Sequence, residues 1–304
     1  MNLAAIDIGS NGARLLINRV LINENKEYEF KSVEYVRFPL RLGEDVFDTQ
    51  YISPAKELQM QKLMQAFKLL MELHEVEDYL AFATSAIREA KNGAKIVEKI
   101  HQQVGIKIEI IDGVKEAEYT HYIIKSQLKE QENYLHIDVG GGSTELNLYA
   151  NKEKIASKSF EVGSIRNTQD KNFQKTLDQL RKWIVKNILL HDAQPITAIG
   201  TGGNINKIFS MVAKKDAKQI HINDIESAKQ HIAKYTYEER INLLKLNPDR
   251  ADTILPAAEI YLTAMKVAGA LQMLVPNVGL KDGMMEILWQ KNAEKFFSTQ
   301  SSNY

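Results

Sequence analysis

The stretch YLHIDVGGGSTELNLY, residues 134–149, decides how this 304-residue chain folds. Residues 134–139 are a mostly apolar run ending in Asp138 and Val139. Gly140, Gly141, Gly142 and Ser143 follow, and a second run spans residues 144–149. That order predicts strand, tight turn, strand. Glycine loses the most backbone entropy on folding, so three in a row are a costly way to make a plain turn. They suit a turn whose N–H groups converge on an anion, with positive φ at glycine as the expected device. Ser143 and Thr144 add hydroxyl donors. Glu145, on the second run, is close enough to orient a water or a metal-bound water.

The same pattern stands 131 residues upstream. Asp7 aligns with Asp138, Ile8 with Val139, Gly9 with Gly140 and Leu15 with Leu146. Here residues 3–8 and 13–20 are the strands, and Gly9, Ser10 and Asn11 make the turn. Alone, this turn reads more readily as a plain hairpin than as an anion site. Asp7 cannot bind phosphate directly, because like charges repel, but it can hold a hydrated cation. A second echo is FATS (residues 82–85) and IGTG (residues 199–202), each running from strand into helix. Repeated units of this kind imply an internal duplication. They predict two α/β lobes, residues 1–124 and 125–304, around a central cleft. The second lobe carries a helical extension whose last helix is free to pack back on the first.

Working outward, Ser53 caps a helix that Pro54 opens. Met60, Leu63, Met64, Phe67, Leu70 and Met71 share one face of it. Strands are expected over 79–83 and 106–111, and helices over 85–100 and 116–127. From about Asp216 the chain reads as mostly helical, interrupted at residues 246–248. Pro256 falls in the first turn of the next helix, and residues 276–283 read as a loop with two glycines.

Composition narrows the function classes. The chain has no cysteine, which excludes disulfides and thiolate metal sites and points to a reducing cytoplasm. The first ten residues lack a basic segment, so no signal peptide is expected, and no apolar run is long enough to span a membrane. Net charge is zero, from 39 basic and 39 acidic residues, which argues against coating a nucleic acid. Residues 1–124 hold 15 Lys and Arg against 19 Asp and Glu, so the remainder leans basic. Walker, dinucleotide-binding and serine-hydrolase elbow signatures are absent, and the seven histidines show no zinc spacing. A hard cation held by oxygens, Mg²⁺, is the better expectation.

Further candidates are Thr201 and Gly202, where free N–H groups and the helix dipole favour an anion. Thr84 and Ser85 stand similarly before Arg88. The planar fork of Arg88 suits phosphate oxygens, although pairing with Glu89 or Glu116 is an equal reading. Glu116, near a helix start, can accept a proton from water or simply stabilise the helix N-terminus.

Eight stretches occur in order: AIDIGSNGARLL, FATSAIREAKN, IDGVKEAEY, HIDVGGGSTEL, VGSIRNT, AIGTGGNI, NPDRADTILPAA and GLKDGMMEIL. Together they resemble the exopolyphosphatase and guanosine pentaphosphate phosphatase (Ppx/GppA) family, of the actin/hexokinase/Hsp70-like superfamily. The resemblance covers nearly the whole chain, in a short two-domain form. It implies a duplicated ribonuclease H-like (actin-like ATPase) fold, a cytoplasmic homodimer, and hydrolysis of terminal phosphoanhydride bonds of polyphosphate or pppGpp. It further implies Glu116 as general base, Mg²⁺ on Asp7, Asp138 and Glu145, and phosphate contacts from both loops and Arg88. Lys115, Glu118, Gly12 and Lys207 depart from the family pattern. A non-catalytic phosphate or alarmone sensor and a kinase are the other classes. Retention of Glu116, Asp138 and Glu145 argues against the sensor, and no adenosine pocket or acceptor-side base is identifiable for a kinase.

Overall fold

Leu3, Ala4, Ala5 and Ile6 are completely buried, because β1 (Asn2–Ile8) is a central strand with apolar groups on both faces. The computed structural model describes residues 1–25, 27–166 and 171–301. Asn167 and Thr168 of the VGSIRNT stretch and the end of the polar tail lie outside them.

The chain divides into two compact units, residues 1–123 with 279–304, and residues 124–278. In the first, β1 is followed by β2 (Ala13–Ile22), β3 (Tyr28–Phe38), α1 (Leu42–Thr49), α2 (Pro54–Leu73), β4 (Asp78–Ala83), α3 (Ser85–Glu89), α4 (Gly93–Val104), β5 (Glu109–Ile110) and α5 (Gly113–Lys125). The second holds β6 (Asn133–Val139), β7 (Thr144–Ala150), β8 (Glu153–Phe160), α6 (Lys171–His191), β9 (Ile196–Thr201), α7 (Gly203–Val212), β10 (Gln219–His221), α8 (Ile222–Ala233), α9 (Tyr237–Asn242), α10 (Pro248–Ala251), α11 (Ile254–Ala268) and β11 (Gln272–Leu274). A last helix, α12 (Leu280–Ser301), belongs to the first unit.

The sheets repeat each other. The first runs β3-β2-β1-β4-β5 and the second β8-β7-β6-β9-β11, with β10 added at the edge. In each, the first hairpin is antiparallel and the fourth strand returns parallel to the first. Both second-to-third strand ladders shift register at the same place, between Ile17 and Asn18 and between Leu148 and Tyr149. Those positions are again 131 residues apart. This is the ribonuclease H-like topology in duplicate, the α/β fold expected.

Local departures have local causes. The helix expected over 85–100 is two, α3 and α4. A Cβ on Gly93 would lie 2.0 Å from the Ile87 carbonyl oxygen, and Asn92 turns its side chain to the Ile52 backbone instead of continuing a helix. The strand expected over 106–111 pairs only at Glu109 and Ile110, although Ile106, Ile108 and Ile111 are buried. The mostly helical last third contains β10 and β11, short enough to carry no alternation. The loop expected to reach Gly283 stops at Gly279, because α12 starts at Leu280. As expected, Ser53 caps α2 and Pro54 opens it.

Two apolar layers flank the first sheet. Ile6, Ile8, Leu15 and Ile17 pack with Met60, Met64 and Phe67 of α2 on one face. Leu3, Ala5, Leu16 and Phe82 pack with Met284, Met285, Leu288 and Trp289 of α12 on the other. Asp78 ties α12 down, accepting from Lys291 Nζ at 3.0 Å and Asn292 Nδ2 at 2.9 Å. Among the described residues no helix is long and apolar enough to cross a membrane.

Gly283 allows α12 its close approach to α5, since a Cβ there would lie 2.0 Å from the Tyr119 carbonyl oxygen. Gly283→Ala is expected to lower unfolding stability by about 1–3 kcal/mol, read by urea denaturation. Asp78→Ala should cost ~1–2 kcal/mol by the same measurement. Burial opposes the ionised Asp78, but the bonds from Asn292 and Lys291 outweigh it and lower its pKa. Its contribution is therefore present above the ordinary carboxylate range and lost as pH falls through the lowered value.

Candidate active site

The three glycine carbonyls after β6 are all held from one side. Ser164 N donates to Gly140 O at 3.0 Å, and Ile165 N and Arg166 N donate to Gly141 O at 2.8 and 3.0 Å. Arg166 Nε donates to Gly142 O at 2.6 Å. A trans peptide sends its carbonyl and the following N–H in opposite directions. The N–H groups of Gly141, Gly142 and Ser143 therefore point away from residues 163–166, as an anion-binding turn requires. Gly163 must be small for this clamp, since a Cβ would lie 2.4 Å from the Gly141 oxygen.

The first unit uses the same device. Gly43 N donates to Ser10 O at 2.9 Å, and Arg41 N to Asn11 O at 3.0 Å. The N–H groups of Asn11 and Gly12 are turned the other way. Ser10 and Ser85 share a hydroxyl hydrogen bond of 2.7 Å, which joins this turn to the start of α3. Positive φ is not the device at Gly9, Gly12 or Gly140, contrary to expectation. At Gly12 the reason for glycine is space: a Cβ would lie 2.8 Å from the Phe38 carbonyl oxygen.

The acids differ between the halves. Asp138 pairs directly with Glu145 across the β6–β7 ladder, so both carboxylates leave the sheet on one face. Ser159 Oγ donates to Glu145 Oε1 at 2.8 Å. Asp7 instead pairs with Arg14, whose Nη1 lies 2.5 Å from Asp7 Oδ2. Arg14 occupies the position equivalent to Glu145. Two opposed carboxylates form an all-oxygen set that fits a hydrated Mg²⁺, which is usually held by one or two carboxylates and several waters. Asp7 fits a cation less well, because a guanidinium already neutralises it. Among the described residues no group of three or more His, Asp or Glu side chains is arranged around a metal position.

Thr201 lies in register with Asp138 at the end of β9, and Gly202 caps α7 with φ 108°. A Cβ on Gly202 would lie 2.9 Å from the Val139 oxygen and 3.4 Å from Asp138 Oδ1. Across β1 and β4, Asp7 stands opposite Phe82. The ladder thus equates Thr201 with Phe82, two residues before the Thr84 that the sequence echo chose. His136 is fully buried beneath this edge, and burial pushes its pKa down to about 3.

In the first unit, Arg88 Nη1 donates to the Ile111 carbonyl at 2.7 Å. Glu116 lies in the first turn of α5, with its Oε2 buried. Lys115 is drawn aside by Glu109 at 2.5 Å and lies over the Phe82 ring, and its pKa is raised chiefly by the Glu109 bond.

The sequence matches the Ppx/GppA phosphatase family over residues 21–291. The chain belongs to that family. Among its relatives is the bifunctional 3-dehydroquinate synthase/phosphatase of Fusobacterium nucleatum, 29% identical over 83% of this chain. This chain spans only 41% of that protein's length. Exopolyphosphatase 1 of Mycobacterium leprae is 20% identical over 94% of this chain and 88% of its own. A crystal structure of an exopolyphosphatase from Cytophaga hutchinsonii superposes with TM-score 0.82 and 21% identity, covering 96% of this chain and 98% of that one. That likeness shows the fold.

For this Ppx/GppA family member, residue types alone did not mark out Arg166 or Arg250. Arg250 lies against the α7 N-terminus, where a Cβ on Gly203 would be 2.2 Å from Nη2, and its Nη1 donates to Asn204 Oδ1 at 3.1 Å. The VGSIRNT and NPDRADTILPAA stretches were the available signal. Gly163→Ala is expected to loosen the Gly141 clamp and lower kcat/KM about 100-fold, with far-ultraviolet circular dichroism unchanged.

Proposed function

We propose that this chain is an exopolyphosphatase, hydrolysing terminal phosphoanhydride bonds of inorganic polyphosphate to orthophosphate. The observation that carries the reading is the clamped turn, with its N–H groups aimed outward beside the opposed Asp138 and Glu145. Phosphoryl transfer is mainly positioning and charge stabilisation, and these parts supply both. The N–H groups of Gly141, Gly142 and Ser143 bind phosphate oxygens. Gly9, Ser10 and Asn11 of the first turn, Arg88, and the Thr201–Gly202 start of α7 are further phosphate contacts. Glu116 takes the proton from the attacking water. When bound on Asp138 and Glu145, Mg²⁺ supplies positive charge that screens the phosphate.

Purified protein is to be incubated with Mg²⁺ and long polyphosphate, short polyphosphate, pppGpp or ATP, and orthophosphate release followed. Release from polyphosphate, abolished by EDTA and restored by Mg²⁺, is the expected result. Release from pppGpp alone would make the chain a pppGpp 5′-phosphohydrolase, and no release at all would favour a non-catalytic sensor. Glu116→Gln should lower kcat by ~100-fold or more with folding intact. Full activity in that variant would remove Glu116 as the base.

A further inference from the structure

Beneath Asp138 and Glu145, the same face of the second sheet carries a polar row, buried at His136 and Asn147 and exposed at its Ser157 end. Its members follow from the ladders: Ser157 opposite Asn147, and Asn147 opposite His136. Ser157 Oγ donates to Asn147 Oδ1 at 2.7 Å, which turns the amide nitrogen toward His136 Nδ1 at 3.1 Å. A ring nitrogen that faces an N–H donor must accept, so it carries no proton. The imidazole proton then sits on Nε2 and is donated to Thr201 Oγ1 at 2.9 Å. A hydroxyl that accepts from one side keeps its own proton to give elsewhere. Thr201 is the in-register neighbour of Asp138, and Asp138 Oδ1 leans toward Gly202, the next residue along. The Tyr261 hydroxyl donates to the Thr201 carbonyl and fixes the backbone at this point.

We propose that His136 is a positioning residue: Asn147 holds it as the Nε2–H tautomer, so the Thr201 hydroxyl accepts from the ring and keeps its own proton to give at the edge that carries Asp138. The inference rests on the proposed role of Asp138 in phosphoanhydride hydrolysis. The fold itself does not need this row. In the first sheet the equivalent positions are Ala5, Leu16 and Phe82, all buried and apolar, and the same strand order forms. Buried polar groups are costly unless fully paired, so a chain of three is a construction that serves something besides packing.

Two measurements test it. The first is the imidazole ¹⁵N spectrum of selectively labelled wild-type protein. It should show His136 protonated at Nε2 and unprotonated at Nδ1; the opposite tautomer overturns the proposal. The second is a double-mutant cycle in kcat/KM on polyphosphate. His136→Leu should lower kcat/KM about tenfold, and add nothing in a Thr201→Val background. Equal losses in both backgrounds overturn the proposal. His136→Gln, which keeps an N–H donor, should recover most of the activity. Should the leucine variant fail to fold, a folded His136→Gln protein that loses activity overturns the proposal. Wild-type protein inactive on every substrate would instead remove the functional reading, while the ¹⁵N spectrum still decides the tautomer.

Discussion

The turn after β6 depends on one geometric constraint: a planar trans peptide cannot turn its carbonyl one way without sending the next N–H the other. Residues 163–166 hold the carbonyls of Gly140, Gly141 and Gly142, and the direction of three N–H groups follows. The constraint explains residues outside the turn. Gly163 is glycine because the Gly141 carbonyl lies where its side chain would be. Arg166 is 8% exposed, and its Nε is spent on the Gly142 carbonyl. An orientation fixed before an anion arrives needs no reorganisation when charge develops, which is where preorganised donors gain their advantage. In the first unit the segment after β3 does the same for Ser10 and Asn11.

The ladders then decide what each turn has beside it. Directly opposed side chains start about 5 Å apart on one face, so the residue facing the aspartate sets the local charge. Arg14 faces Asp7, and the pair is self-neutralised. Glu145 faces Asp138, which puts two acids side by side on that face. One substitution at an equivalent ladder position therefore separates an aspartate faced by a guanidinium from one faced by a second carboxylate.

What the sequence made legible was whatever is local or periodic. Strands β1 and β6 are short apolar runs that end at a turn, and the 131-residue repeat identified the duplication before any contact was known. Strands β3 and β8 were not legible, because each lies beside only one other chain strand and is half-exposed, with polar residues along much of its length. The break between α3 and α4 depends on Asn92 reaching Ile52, 40 residues away in sequence, and no window of helix periodicity contains it. The echo of residues 82–85 in 199–202 found the strand-to-helix step in both units, but its Thr84–Thr201 alignment is two residues out of ladder register, because similar letters are a weaker guide than hydrogen bonding. Arg166 and His136 act through contacts 24 and 65 residues distant, so their types gave no sign of their partners.

The two copies have also divided their physical work. On the first sheet the face bearing Ala5, Leu16 and Phe82 is covered by Met284, Met285, Leu288 and Trp289 of α12. Each large apolar side chain fully buried there contributes roughly 1.5–3 kcal/mol, so that face is a source of stability. The matching face of the second sheet gives up this gain at His136, Asn147 and Thr201, and holds their polar atoms in hydrogen bonds instead. Satisfied polar groups in a buried row add little net stability but fix geometry tightly. Tyr134 and Tyr149, the next pair down this face, pack with Ile124, Leu128 and Ile199, the last standing beside His136 in register. The order down the face of the second sheet is thus charge, directional hydrogen bonds, then packing. In that order the rigid part of the structure can hold the charged part at a set position, which packing alone, being non-directional, cannot do.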